Sequence, residues 1–381
     1  MMSDKKKNSR IVKSIARTMT NKTSCGIDLA DEVSVATMFS PAGDLLERFS
    51  FTTDWTGFSK TFVEKVPKDA RIGFEACIMA YPVSRTLREL GYGDITVAHP
   101  RELTWITKSK KKNDKTDSEK IARLLMANML TESHLLSKEE QIERDLLIQR
   151  VRLGEQMRRA MTSITSYLKR EDLFKTLPDT YENWSVVRRK AIEQIRFGDD
   201  RDLVFQTMLD RLKFNEDRCK PFEDRIRALV RDNDDVRLLM TIPGVDFYLA
   251  ALICSYIRDV NRFPSFDHLA SFFGIIPESR DSANVRRRGK MSKDGPSIPR
   301  WALGVMVDTV MHQTKTLHDY YFHEKDRTKS GSYAHVLAMK KLLRTVYHIL
   351  KTREHWRWEN VNLTNRKLEA LDAINGGAGI A

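Results

Sequence analysis

The sequence has few cysteines, and those it has are scattered. Its 381 residues contain four, Cys25, Cys77, Cys219 and Cys254. None forms a Cys-x-x-Cys pair or stands at a zinc-type Cys–His spacing. The pattern therefore indicates neither a disulfide framework nor a zinc site, and we interpret the cysteines as small buried apolar residues.

Long apolar segments are also absent. No run is long enough to span a bilayer, and no basic amphipathic helix carries an aromatic face, so we expect no membrane association. Residues 1–23 are basic and polar and lack the apolar centre of a secretory signal. They are predicted to form a flexible arm, and the protein is expected to stay in the cytoplasm.

Positive charge is abundant and clustered. The chain has 65 Lys and Arg against 52 Asp and Glu, a net charge of +13. The excess is concentrated at residues 5–7, 108–112 and 286–290. Clustered cations favour a polyanionic partner, and nucleic acid is the leading candidate.

The region 24–135 has a mixed α/β pattern. Three β-rich runs come first, "SCGIDLA", "EVSVATMFS" and "LLERFSFT", and two further strands, "ARIGFEA" and "DITVAHP", alternate with helical segments. A helix that begins near Asp114 closes the region. This order predicts a mixed five-stranded sheet covered by helices.

Residues 136–232 are predicted to form a long helical, coiled-coil arm. One helix extends from about Lys138 to Arg170, and a second from about Trp184 to Val230 is broken near Gly198. Two long charged helices suggest a coiled-coil hairpin or a dimer arm, so a homodimer or homotetramer is expected. The apolar stripe of the first helix is predicted to comprise Ile142, Leu146, Leu153, Met157, Ala160, Ile164 and Leu168.

Residues 233–352 read as a helical domain, and residues 353–381 as a C-terminal tail. The segment "TIPGVDFYLAALICSYI" has a Pro-Gly turn between helical stretches. Such a turn can present N–H groups to phosphate, as in a helix-hairpin-helix. An ordinary turn between packed helices is the alternative.

Four acids form a candidate metal site. Asp114 and Asp117, in "KKKNDKTDSEKIARLL", stand three residues apart and share a helix face. Alone, they are explained by the preference of acids for a helix N-terminus. Asp28 and Glu75 each end a predicted strand, where a surface acid is the simple alternative.

Together, these four acids suit two-metal chemistry on a phosphodiester. Two Mg²⁺ ions about 3.5–4 Å apart need carboxylates from separate elements to hold them. Mn²⁺ is expected to substitute for Mg²⁺. The neighbouring lysines would hold the nucleic-acid backbone near the metals, and the residues proposed for this are Lys110, Lys111, Lys112 and Lys115.

A serine lies in the second basic cluster, "VRRRGKMSKDGPSIPR". Ser292 stands between glycines and among cations that could stabilise charge on a phosphate under attack. The alternative is an ordinary phosphate-binding loop in which Ser292 only donates a hydrogen bond. The cations concerned are Arg286, Arg287, Arg288, Lys290, Lys293 and Arg300.

The motifs "GIDLA", "FEA" and "KNDKTDSEKIARLL" resemble the DEDD transposases of the insertion-sequence one-ten family and the related Piv-type DNA invertases. The resemblance extends from about Cys25 to Leu350 and implies an RNase H-like fold of the RuvC-like branch. It implies that Asp28, Glu75, Asp114 and Asp117 bind the catalytic metals. The family usually has a lysine soon after the first acid, where this chain has Asp31 and Glu32.

The second half resembles the same family through "IPGV", "RFPSFDHLASFFGIIP", "SKDG" and Arg300. This implies that Ser292 is a nucleophile that forms a phosphoserine–DNA intermediate, in an active site made by one chain or shared between two. Pro296 and Pro299 depart from the family pattern. The resemblance also implies a noncoding bridge RNA that pairs with donor and target DNA.

A DNA transposase or recombinase is therefore the leading hypothesis, and a site-specific invertase shares every motif. A junction-resolving nuclease would use the same acids with water as the nucleophile. A non-catalytic nucleic-acid-binding protein is the third alternative. Asp31, Glu32 and Glu119 are interpreted as solvated acids rather than as further metal ligands.

Overall fold

The chain folds as two units that meet in the sequence between Leu136 and Ser137. The computed structural model describes residues 21–99, 114–130, 132–180, 184–279, 288–291 and 295–373. For residues 114–116, 277–279 and 288–290 it describes the backbone alone. Most of the predicted arm 1–23 and the last residues of the predicted tail lie outside this part.

The first unit contains the predicted mixed five-stranded sheet, in the order β3-β2-β1-β4-β5. Strand β1 pairs antiparallel with β2, which pairs antiparallel with β3, whereas β4 is parallel to both β1 and β5. The prediction of this sheet is thus confirmed. The strands are β1 (Ser24–Asp28), β2 (Val33–Phe39), β3 (Leu45–Thr52), β4 (Arg71–Glu75) and β5 (Ile95–Ala98).

The two faces of this sheet are covered differently. One face carries buried Ile27, Ile72 and Phe74, which belong to a core rich in aromatic side chains. That core includes residues of a π-helical turn, Gly57–Phe62, which continues into the short α-turn Val63–Lys65. Helices α1 (Ala80–Glu89) and α2 (Asp114–Met126) also belong to this unit, and α2 packs on the opposite face.

The second unit begins with two long antiparallel helices. Helix α3 (Lys138–Arg170) begins at a capping box formed by Ser137 and Glu140. A short helix, α4 (Val186–Glu193), precedes the second long helix, α5 (Arg201–Val230). Arg150 of α3 donates to Glu223 of α5 at 2.8 Å, while the C-terminal half of α3 shares an apolar cluster with the N-terminal half of α5. These contacts show a helical hairpin.

The stripe predicted for α3 is wrong at its N-terminal end. Ile142 is 51% exposed, whereas Leu147 and Val151 are buried. These two side chains pack in the same core as Ile226 and Val230 of α5 and the helices that follow. The arm and the C-terminal helical region, which the sequence suggests as separate domains, therefore share one core.

The remaining elements of the second unit surround this core. The sequence suggests an irregular basic loop after α8, but the structure has a two-stranded antiparallel ladder there, β6 with β7. The elements are α6 (Asp234–Leu239), α7 (Phe247–Ile257), α8 (Phe266–Phe272), β6 (Pro277–Ser279), β7 (Arg288–Met291), α9 (Ser297–Gln313), α10 (Lys315–Thr328), α11 (Gly331–Thr352) and α12 (Val361–Asp372).

Helix α12 lies where the sequence predicts a tail. Its Leu371 is buried, and Asp372 accepts a hydrogen bond from Arg237 at 2.8 Å. Lys367 donates to the carbonyl oxygens of Ile242 and Val245. The prediction of a tail from residue 353 is thus wrong over this helix, because an amphipathic face there finds a partner.

The polar groups of the Pro-Gly turn before α7 form hydrogen bonds within the protein. The N–H of Val245 donates to Ile242 O at 3.1 Å, and Lys367 occupies the carbonyl groups. These contacts favour the ordinary turn between packed helices over a phosphate-binding hairpin. Across the part of the chain that is described, no helix has the length and apolarity to cross a bilayer.

Candidate active site

Asp28 and Glu75 lie side by side at one edge of the sheet. The parallel register of β1 and β4 pairs Ser24 with Arg71 and continues to Ile27 with Phe74. Asp28 and Glu75 are the next residues of the two strands. Because neighbouring residues of parallel strands point to the same side, both side chains belong to one face of the sheet.

Helix α2 covers that face at very short distance. Gly26 lies two residues before Asp28, so it belongs to the same face. A Cβ atom at Gly26 would lie 2.3 Å from Ser118 O and 2.3 Å from Ala122 N. Glycine at this position therefore allows the backbone of α2 to rest directly on β1.

The N-terminus of α2 is directed toward the two acids. Ser118 Oγ and Thr37 Oγ1 form a buried 2.8 Å hydrogen bond, and Thr37 is the register partner of Gly26. Seven residues later, Leu125 O accepts from Arg71 Nη1 at 3.1 Å, at the opposite end of β4. Helix α2 thus runs antiparallel to β1 and β4, and its first turn lies toward the strand ends that carry Asp28 and Glu75.

Asp114 and Asp117 belong to this first turn. Asp114 is the first residue of α2, and its side chain is outside the described part of the chain. The carboxylate of Asp117 is 27% exposed and accepts from Lys120 Nζ at 2.9 Å. Asp28 is half-buried and Glu75 is exposed. The topology therefore brings the elements carrying all four predicted acids to one edge of the sheet.

The donor set fits Mg²⁺ in chemistry, and the elements that carry it meet at one edge of the sheet. Carboxylate oxygens are the ligands that Mg²⁺ prefers, and here they come from two strands and one helix. The side chains themselves do not converge within the described part of the chain, where no group of three or more potential ligands is gathered. In this structure the positive charge beside Asp117 is the ammonium of Lys120.

Glu119 forms ion pairs that link α2 to the sheet. Its carboxylate pairs with Arg123 at 2.9 Å and with Arg48 of β3. These partners, Arg123 first, hold the pKa of Glu119 below its usual value. Asp31 and Glu32 are exposed. The interpretation as solvated acids suits Asp31 and Glu32, whereas Glu119 is tied to two arginines.

The Ser292 region is held on both sides. Ser292 itself lies outside the described residues, but Met291, directly before it, pairs with Pro277 in the β6–β7 ladder. After it, a Cβ at Gly295 would lie 2.0 Å from Phe272 O, so the chain passes directly against the end of α8. Arg300 Nη1 donates to Gly295 O at 3.2 Å and to Phe273 O at 3.3 Å.

The two prolines that depart from the family pattern are accommodated at the start of α9. Pro296 is the N-cap, and Pro299 is buried in the first turn. Backbone N–H groups of a first helical turn have no acceptor in the helix, so proline removes no hydrogen bond there. The helix that follows the serine loop therefore begins without distortion.

The remaining predicted contacts to nucleic acid are described only in part. For Lys115, Arg288 and Lys290 the backbone is described, in α2 and β7, but not the side chain. Lys110, Lys111, Lys112, Arg286, Arg287 and Lys293 lie outside the described residues. Arg300 is the member of the predicted set whose side-chain contacts are described, and those contacts are to the backbone carbonyl groups of Gly295 and Phe273.

Two family models match the chain. The first is the model of the DEDD transposase domain of IS110, described as Transposase, and it matches residues 25–171. A second model, described as Transposase IS116/IS110/IS902 family, covers residues 236–322.

Curated relatives have similar but distant sequences. The chain is 23% identical to the transposase for insertion sequence element IS1111A of Coxiella burnetii, over 60% of this chain and 62% of the relative. It is 24% identical to an insertion element IS110 protein of Streptomyces coelicolor, over 39% and 36% of the two chains. A putative transposase of Sinorhizobium fredii is 23% identical over 60% and 56%. Each match thus spans less than two thirds of the relative's length.

The family matches fall on the two regions whose geometry is described above. The first contains Asp28, Glu75 and both acids of α2, and the second contains Ser292 and its supports. The chain is therefore similar to the IS110/IS116/IS902 transposase family over these two regions.

Proposed function

We propose that this protein is the recombinase of an insertion sequence, which cuts and rejoins DNA strands in the cytoplasm. The observation that carries the proposal is the arrangement of the first unit. Register places Asp28 beside Glu75, and the closely packed α2 brings its first turn to the same edge. The two transposase-domain matches support a DNA substrate.

The four acids Asp28, Glu75, Asp114 and Asp117 would hold Mg²⁺. When bound, the metal would neutralise charge on the scissile phosphate and on the leaving oxygen. The half-buried carboxylates of Asp28 and Asp117 keep negative charge at the sheet edge, and Lys120 pairs with Asp117. The role of α2 is therefore to hold two of the acids against two fixed strand ends.

Ser292 would supply the nucleophile. Its Oγ forms a bond to phosphorus while one P–O bond of the DNA breaks, and the departing oxygen leaves as a hydroxyl. A hydroxyl of another strand then attacks the phosphoserine, which releases Ser292 and joins the new strands. Because each step exchanges one P–O bond for another, rejoining needs no external energy source.

The proposal includes two kinds of partner, an RNA and further copies of this chain. A noncoding bridge RNA is proposed from the family resemblance, and the net positive charge is compatible with it. A homodimer or homotetramer is proposed because α4 and the first turn of α5 leave apolar side chains exposed to solvent. These side chains are Val186, Val187, Leu203 and Val204, which are between 47% and 75% exposed.

The proposal is tested by trapping the covalent intermediate. The protein is expressed with the flanking DNA of its own locus, denatured, and examined for DNA attached to Ser292. We expect an adduct in the wild type and none in Ser292→Ala. Ser297→Ala is the matched control, because Ser297 is an exposed serine five residues away.

Three other results would each contradict part of the proposal. Metal-dependent cleavage that persists in Ser292→Ala would identify water as the nucleophile and favour a nuclease. An adduct at another residue would reject Ser292. Nucleic-acid binding with neither cleavage nor an adduct would favour a non-catalytic protein.

A further inference from the structure

A basic groove lies in the second unit, on the surface formed by α10, α11 and the segment after α11. It has a volume of about 930 Å³. Tyr320, Lys341, Arg344, Trp356 and Arg357 are among its lining residues. It involves none of the acids or serine-loop residues discussed above.

The cations of the groove share one face of α11. Lys340, Arg344 and His348 follow each other at steps of four, so they form a row along the helix. The opposite face is apolar and buried, with Leu343 and Val346 among its members. The charged row is therefore fixed on a helix that is anchored in the core.

The lysines and arginines of the groove make no ion pair within the part of the chain that the structure describes. Many other arginines are paired with acids, as Arg150 is with Glu223. By contrast, no ion pair is made there by Lys340, Lys341, Arg344 or Arg357. An acid, Glu354, does line the groove, but it lies 3.6 Å from His348.

Aromatic rings hold the cations in place. Lys341 Nζ lies 3.9 Å from the centre of the Tyr320 ring, and burial lowers the pKa of this lysine. The guanidinium of Arg344 lies 4.5 Å from the Phe266 ring. Cation–π contacts orient a positive group without neutralising it, so the charge remains available to an external anion.

Trp356 lines one side of the groove, and Trp358 lies next to it. The chain at Trp356 is anchored because the backbone N–H of this residue donates to Thr241 Oγ1 at 3.0 Å. The Trp356 ring lies 5.4 Å from that of Trp358, which is 56% exposed, and Arg357 lies 5.5 Å from the Trp358 ring. An exposed indole beside unpaired cations offers a stacking surface next to phosphate-binding groups.

We infer that this groove binds a single-stranded segment of nucleic acid. The lysines and arginines contact the phosphate backbone, and an unpaired base stacks on Trp358. An acidic peptide would use the cations but not the stacking surface. A duplex is disfavoured because its bases are already stacked within the helix.

The inference is tested by site-directed cross-linking on the full-length protein. Short RNA and DNA strands carrying 5-iodouridine are irradiated with the protein in EDTA, so that strand cleavage plays no part. We expect a cross-link in the tryptic peptide 358–366, which contains Trp358. A stronger signal from the RNA or from the DNA strand shows which of the two the groove prefers.

Paired variants separate this groove from other basic surfaces. We expect Lys340→Gln with Arg344→Gln to weaken single-strand binding about tenfold. The slope of log affinity against log salt should fall by about 1.4, since each lost phosphate contact removes about 0.7. Lys213→Gln with Lys220→Gln is the control, because it removes equal charge from exposed positions of α5.

A stacking test completes the design. Trp358→Ala should remove the cross-link and weaken binding about tenfold, whereas Trp358→Phe should retain most of the affinity. The inference is rejected if the peptide is not cross-linked, or if the α11 variant binds like the α5 control. It is also rejected if poly-glutamate or duplex DNA displaces the strand as well as an unlabelled single strand does. None of these measurements depends on whether Ser292 forms a covalent adduct with DNA.

Discussion

The two units position their candidate catalytic groups in different ways. In the first unit, strand register places Asp28 beside Glu75, and α2 rests on Gly26. In the second unit, Ser292 follows a strand end and precedes a tightly packed Gly295. The acids are thus positioned by regular structure, whereas the serine depends on the supports at the two ends of its loop.

This difference reflects what each group is proposed to do. Metal ligands must keep fixed distances from one another, and a hydrogen-bonded sheet with a helix packed on it provides such distances. A nucleophile has to approach a substrate phosphorus in line with the leaving oxygen, so its position relative to the loop supports is decisive. Substitutions in the two units should therefore fail in distinguishable ways.

The largest effect is expected for the acids. Asp28→Asn should lower strand cleavage by at least about a thousandfold, since a metal-bound site supplies several kcal/mol of transition-state stabilisation. Asp31→Asn, which changes an exposed acid three residues away, should keep nearly full activity. Cleavage of flanking DNA in cells measures both, and a fully active Asp28→Asn would remove this residue from the metal site.

The next effect concerns the packing of α2. Gly26→Ala should destabilise the first unit by about 3 kcal/mol, because the new methyl group would overlap the α2 backbone. At Gly43, φ is +96° and no atom lies within 4 Å of an added Cβ, so Gly43→Ala should cost only about 1 kcal/mol of backbone strain. Urea denaturation compares the two, and equal losses would contradict the close approach of α2.

A substitution at Gly295 should lower the rate of adduct formation without changing the stability of the first unit. Gly295→Ala would force the chain away from Phe272 O and move Ser292 with it. Since a displacement of about 1 Å can cost about a hundredfold in rate, adduct formation should fall by that order. Unfolding of the first unit should be unchanged. An undiminished adduct would show that Gly295 does not position the serine.

The smallest effect is expected for Glu119. Glu119→Gln removes a half-buried carboxylate that pairs with Arg123 and Arg48, and should cost about 1 kcal/mol at pH 7. Because the pKa of Glu119 in the folded state lies below its ordinary value of 4.5, its stabilisation is present above that pH. It is lost as the pH falls through the folded-state pKa. Denaturation of wild type and variant from pH 7 to pH 3 measures this, and a large loss of cleavage activity would instead place Glu119 in the active site.

Several local features were predictable because they depend on neighbouring residues. The five strands follow from β-rich runs and turn residues, and the break between α4 and α5 follows from Gly198, where φ is +78°. The acids at the ends of β1 and β4 could be recognised because polar groups after buried strands need a partner.

Other features were not predictable because they depend on distant partners. Ile142 and Leu147 are equally apolar, but only Leu147 meets the core. The helix α12 docks through contacts of Lys367 and Asp372 with residues more than 100 positions earlier. The basic groove joins residues of α10 and α11 with Trp356, and its signal in sequence was limited to the spacing of cations on α11.

The sequence by itself determined the strands, the long helices and the identity of the candidate acids and serine. Tertiary structure alone decided that β4 pairs with β1, across a gap of more than 40 residues, and that α2 lies on Gly26 with its first turn at the acid-bearing edge. Local patterns arise from hydrogen bonding and side-chain alternation among neighbours. The meeting of Asp28, Glu75 and α2 depends on long-range packing, which no short stretch of sequence encodes alone.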